Sequence, residues 1–155
     1  MVIACQACFS YGQVSLGLSR VEQMFEMTVQ PRFYETDAFG HVNNTVFAGW
    51  FETAREPIFR IFSPNLNISQ MSLILARIEI DFVAQTHYGE PVLIKTWIAK
   101  IGHRSFVVMH EAWQQQRCVA RGQAVQVSFD FEQQQSIPVP DEIRLALSAH
   151  LPDHT

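Results

Sequence analysis

The segment Tyr34-Glu35-Thr36-Asp37-Ala38-Phe39-Gly40-His41-Val42-Asn43-Asn44 carries the chain's most suggestive chemistry. It sets a carboxylate, Asp37, in a loop seven residues before Asn44, where helical periodicity begins. Helix starts present unpaired backbone N–H groups and a partial positive charge. A carbonyl placed there is polarised, and an oxyanion forming on it is stabilised. A neighbouring carboxylate can attack the carbonyl carbon or deprotonate a water that does so. Gly40 lets the backbone turn between the two parts. Considered alone, Asp37 closes a turn, as loop aspartates do; the surrounding segment is what points to catalysis.

Other reactive side chains have plainer readings. His41 can orient Asp37 or touch a substrate, or be a solvated loop histidine. Asn43 is a good N-cap, and of Asn44 only the backbone is needed. Glu52, two turns into the helix, is a second candidate carboxylate, although a local ion pair or subunit contact with Arg55 is the simpler reading. Cys5, Cys8 and Cys118 are too few for a disulfide framework and fit a reducing compartment. The Cys5/Cys8 pair has no second pair to complete a zinc site. No HExxH, GxSxG, phosphate-loop or dinucleotide pattern occurs, so no metal and no cofactor is expected.

The elements that must position Asp37 read as follows. FEMTVQPRFY, residues 25–34, alternates as an edge strand does, with Pro31 marking an edge or bulge. One long helix is expected from about Asn44 to Phe62, with Phe47, Phe51, Ala54, Ile58 and Ile61 on its apolar stripe and a kink near Glu56 caused by Pro57. After Ser72, four consecutive antiparallel strands are expected, separated by turns and ending in a long strand from Cys118 to Phe131. That final strand is expected to leave an edge needing cover. Asp141 can cap a short terminal helix. Strand, helix, then strands is an α+β order in which a sheet curls around a helix. Residues 1–23 read as an extension and 24–155 as one domain. No charge precedes Arg20, so the basic n-region expected of a secretory signal is missing, and Met24 is an alternative start.

In this setting the segment around Asp37 resembles the 4-hydroxybenzoyl-CoA thioesterase family of hotdog proteins. That family places an Asp in the loop after the first strand, in a pattern close to D-x-x-G-x-V/I-x-N/H, and follows it with an aromatic-rich helix ending in a Glu/Ala/Arg cluster. Here these are Asp37, Gly40, Val42 and Asn44, then FETAR at 51–55. The resemblance spans roughly residues 24–132. It implies a hotdog fold, an antiparallel sheet of about five strands wrapped around one long central helix. It also implies hydrolysis of an acyl-CoA to free acid and CoA. Asp37 would serve as nucleophile or general base, and the Asn44 backbone N–H would polarise the carbonyl.

The resemblance also places Lys100, His103 and Arg104, in the turn after the second strand of the later set, against the CoA phosphates. Arg104 is favoured because a guanidinium grips phosphate in bidentate fashion. Phe39, Val46, Phe47 and Trp50 would wall the acyl pocket. The sparse positive charge leaves an acyl carrier protein open as donor. A homodimer with edge-to-edge sheets, often paired into a tetramer, is implied, with each site completed across the subunit interface. Two other functions stand beside this one: a non-catalytic module holding an acyl thioester, and a hotdog dehydratase, whose His-Phe-Pro-Gly type motif the chain lacks.

Bulk properties agree. The chain is 48% hydrophobic and 17% charged, with a net charge of -4. That balance gives no general attraction to nucleic acid. No apolar run reaches the ~20 residues needed to span a bilayer. The expected location is cytoplasmic.

Overall fold

The computed structural model describes residues 24–152; the extension, with its Cys5/Cys8 pair, lies outside them. Five strands form one antiparallel sheet: β1 (Phe25–Val29), β2 (Leu73–Phe82), β3 (Val92–Ile101), β4 (Ser105–Gln114) and β5 (Arg117–Asp130). Their order across the sheet is β1-β3-β4-β5-β2, and the short β6 (Gln135–Ser136) pairs with the end of β5. The helices are α1 (Val46–Ala54), α2 (Glu56–Phe62) and α3 (Asp141–Ser148).

Alternation makes the sheet one-sided. Val92, Ile94, Thr96 and Ile98 of β3, and Phe106, Val108, His110 and Ala112 of β4, are all buried. The residues between them are half-buried or exposed. Helix α1 lies on the inner face through Phe47, Trp50, Phe51 and Ala54, and α2 continues the contact through Ile58. Gly122 makes this close approach possible: a Cβ there would sit 2.6 Å from the Phe51 ring. Phe51 in turn stacks on His110, with centroids 4.8 Å apart and planes 7° from parallel.

The structure differs from the expected elements in five places. The first strand stops at Val29, before Pro31, and a short turn of 3₁₀ helix covers Phe33–Glu35. The single long helix is two, divided at Arg55, so the break falls just ahead of Pro57, in the first turn of α2, where its missing N–H costs least. Helix α1 starts at Val46, not Asn44. Asn43 instead caps the preceding turn, its Oδ1 accepting from Thr45 N (3.0 Å) and Thr45 Oγ1 (2.9 Å).

The fourth difference is topological. Only β3, β4 and β5 run as consecutive neighbours, because β2 crosses over to pair with β5. The long last strand is therefore interior, and the edges are β1 and β2. Asp141, too, is not the cap of α3 but its first residue, after Pro140.

Candidate functional site

Residues 35–43 close into a small hairpin. Asn43 N donates to Glu35 O (2.7 Å), Asp37 N to His41 O (2.7 Å), and Gly40 N to Asp37 O (3.2 Å). Gly40 sits at φ 79, the left-handed region that glycine enters without penalty. The Asp37 carboxylate shapes the tip: Oδ1 accepts from Phe39 N (2.8 Å) and His41 N (3.1 Å). One carboxylate oxygen is thus consumed in the turn, and Oδ2 has no partner among the described residues. The turn-closing role of Asp37 takes Oδ1 alone.

Two anchors hold this hairpin. Glu35 reaches the helix, its Oε1 accepting from Trp50 Nε1 (3.2 Å). On the other side Val42 N donates to Thr86 O (2.8 Å), and His41 bridges to His87 across the backbone, the two rings meeting edge to face at 5.1 Å. Beyond the hairpin, the Asn44 N–H donates no bond among the described residues, and Val46 N turns back to Asn43 O (3.1 Å). Asp37 and a free N–H beside a helix start therefore lie on one continuous, braced stretch of chain.

The other expected site residues are dispersed. Phe47 and Trp50 are 2% and 6% exposed and pack in the core with Phe51, whereas Phe39 is 84% exposed at the hairpin tip. Lys100, His103 and Arg104 lie at the far end of β3 from the hairpin, about 30 Å away by the rise of a ten-residue strand. Arg104 Nη1 donates to Ser136 O (3.1 Å) and Oγ (3.2 Å), and Arg144 Nη2 braces the same turn through Gly102 O (2.9 Å). Two clefts, of about 460 Å³ beside Trp113 and about 210 Å³ beside Pro57, are lined by none of Asp37, His41 and Asn44. Among the described residues no group of three or more His, Cys, Asp or Glu is arranged to hold a metal. No described helix is long and apolar enough to cross a membrane.

The expected Glu52–Arg55 ion pair is absent. Glu52 is exposed, while Arg55 is 1% exposed and points into the sheet at the helix break. Its Nη1 lies 3.5 Å from His110 Nε2, and its Nε donates to the Gln126 amide oxygen (3.2 Å) in the orientation that satisfies both ends of that amide. Because arginine only donates, His110 Nε2 must accept, which leaves the proton on Nδ1 to donate to Thr96 Oγ1 (2.9 Å). Burial, and secondarily the Arg55 charge, lower the His110 pKa to about 3, so the ring is neutral. Burial also lowers the Arg55 pKa, opposed by the Glu52 charge. No sequence signal marked His110, since it occupies an apolar strand position.

A curled five-stranded antiparallel sheet holding a helix on its inner face, with a carboxylate turn leading into that helix, defines a hotdog-fold enzyme. The thioesterase-like superfamily matches residues 31–147. Among solved structures, a thioesterase from Bacillus stearothermophilus described as predicted is similar at 37% identity and TM-score 0.82, covering 85% of this chain and 99% of its own. A thioesterase from Thermus thermophilus, solved with coenzyme A and Zn, is 28% identical at TM-score 0.71 (79% and 95% covered). A 1,4-dihydroxy-2-naphthoyl-CoA thioesterase from Synechocystis is 25% identical at TM-score 0.70 (81% and 96% covered). No curated protein matches. The chain belongs to the thioesterase-like superfamily, and its reaction class is thioester hydrolysis.

Proposed function

We propose that the protein hydrolyses acyl-CoA thioesters to free acid and CoA, with Asp37 as the catalytic carboxylate. The observation that carries this reading is the hairpin itself: Asp37 Oδ1 is held by two backbone N–H groups, Oδ2 is left open, and the unpaired Asn44 N–H follows on the same braced segment. With the carbonyl oxygen on the Asn44 N–H, Oδ2 either attacks the carbonyl carbon and expels the CoA thiolate, leaving an anhydride on Asp37 that water hydrolyses to the free acid, or removes a proton from a water that attacks the carbon and expels the thiolate directly. His41 borders this carboxylate through its backbone bonds to Asp37. Similarity to a thioesterase solved with coenzyme A, and to a naphthoyl-CoA thioesterase, supports CoA as the carrier.

A second subunit completes the site. Strand β2 runs from the Arg104 end of the sheet, where Leu73 pairs with Ser128, to the hairpin end, where Phe82 pairs with Ala120. Two copies joined antiparallel along this free edge would bring the basic turn of one beside Asp37 of the other. Lys100, His103 and Arg104 would then meet the CoA phosphates, and the exposed Phe39 would face the acyl group.

The decisive experiment is hydrolysis of a panel of short, long and aromatic acyl-CoAs by wild type and Asp37→Asn. The variant should lose at least about a hundredfold in kcat while still binding CoA. Unchanged hydrolysis in Asp37→Asn would overturn the catalytic assignment and leave a thioester-binding module.

A further inference from the structure

Gln114, at the end of β4, is 5% exposed, and its amide is fully committed to one loop. Nε2 donates to His87 O (2.9 Å) and Glu90 O (3.0 Å), and Oε1 accepts from His87 N (2.9 Å). The side chain satisfies both polar groups of the His87 backbone and the Glu90 carbonyl. What this clamp presents is the His87 ring, set edge to face against the His41 ring at 5.1 Å. His41 is the residue that closes the Asp37 hairpin in both directions: its N–H bonds Asp37 Oδ1, and its carbonyl accepts the Asp37 N–H. The preceding residue of the same loop, Thr86, holds Val42 N at 2.8 Å. A continuous chain of contacts thus runs from a buried amide in the sheet, through His87, to the carboxylate.

We infer that His87 is a positioning residue for Asp37, and that Gln114 is the means by which the sheet sets it. This rests on the reading of Asp37 as the catalytic carboxylate. His87 acts by ring contact with His41 and transfers no proton. A carboxylate on an otherwise solvent-facing hairpin needs such a brace, because displacement of a reacting group by about 1 Å is enough to cost up to a hundredfold in rate.

The test combines kinetics with amide exchange. His87 is exposed, so His87→Ala should fold normally. It should lower kcat by roughly tenfold or more with KM changed less than about twofold. His87→Phe, which keeps a ring, should restore most of that loss without altering the pH profile. Gln114→Leu should resemble His87→Ala. Independently of any substrate, the Phe39 and His41 amide hydrogens, both bound to Asp37 Oδ1, should exchange faster in His87→Ala and Gln114→Leu but not in His87→Phe. If exchange and kcat are unchanged in His87→Ala and Gln114→Leu, the inference is overturned. It is equally overturned if His87→Phe is as impaired as His87→Ala with an altered pH profile, since that is the signature of proton transfer. Absence of hydrolysis by wild type on every thioester would instead count against the proposed function, leaving the exchange result to decide the positioning role.

Discussion

Arg55 has no carboxylate within salt-bridge distance among the described residues, yet it is among the most buried side chains. A charge in that position is tolerable only because neutral acceptors converge on it: His110 Nε2 and the Gln126 oxygen. His110 must stay unprotonated for this to hold, and that makes acid stability testable. Its folded pKa of about 3 lies below the ordinary 6.5. Between those values the unfolded chain takes up a proton that the folded chain refuses, so stability is full above about pH 6.5 and falls as the pH drops toward 3. Each unit is about 1.4 kcal/mol, so from pH 6.5 to 4.5 the loss should be on the order of 2–3 kcal/mol. His110→Gln keeps an acceptor for Arg55 and a donor for Thr96 but does not titrate there. Urea unfolding of this variant should show a flatter dependence on pH over that range, and an acid limb as steep as in wild type would show that the loss arises elsewhere. Asp37 was legible in the sequence because its loop, its glycine and the following helix are local features. The Arg55–His110 pair was not, because Arg55 reads as one more surface charge until the strand carrying His110 is laid beneath it.

At the scale of elements, the contact between α1 and the sheet rests on a missing side chain. The Cβ of an alanine at position 122 would lie 2.6 Å from Cδ2 and Cε2 of Phe51. That ring cannot retreat freely, since it is stacked on His110 and flanked by Phe47 at 6.2 Å. Gly122→Ala should therefore destabilise the fold by about 1–3 kcal/mol, the range for overpacking a filled core, measured as a lower urea midpoint with unchanged slope. A neutral result would show that α1 can slide on the sheet, which would weaken the case that the helix start is rigidly placed. The helix and strands were foreseeable from period alone: the long last strand was expected at Cys118 to Phe131 and spans Arg117 to Asp130. What period could not supply was partner choice. The pattern of β2 fits pairing with β3 or β5 equally well, and only the need to cover the free side of β5 decides it. The helix division at Arg55 was foreshadowed by Pro57, but the two-residue delay in the helix start was not, because Asn43 satisfies Thr45 and so extends the turn.

For the whole molecule the question is how the two halves of the proposed site, Asp37 and the basic turn, would meet. Strand β2 has a free edge, and past the bulge between Leu75 and Arg77 its outer face carries Arg77, Glu79 and Asp81. Within one chain Arg77 and Glu79 pair with each other in the open, where such pairs contribute little. If two copies join antiparallel about Ile78, each Arg77 falls opposite Glu79 of the partner subunit, and the interface gains two complementary cross-strand pairs by symmetry. The same register carries the basic turn of each subunit to the hairpin end of the other. Arg77→Glu then sets like charges opposite each other twice and should weaken the dimer by about 1–2 kcal/mol, roughly tenfold in its dissociation constant. Adding Glu79→Arg recreates both pairs with their signs exchanged and should restore assembly. Sedimentation velocity across a dilution series reads the first effect, and acyl-CoA hydrolysis at the same concentrations should follow it, since neither residue belongs to the hairpin or the basic turn. If Arg77→Glu leaves assembly intact, or the double variant stays dissociated, pairing is not centred on Ile78. Full hydrolysis by a dissociated variant would go further, for it would mean that one chain holds a complete site and that Asp37 does not depend on the basic turn of a second copy.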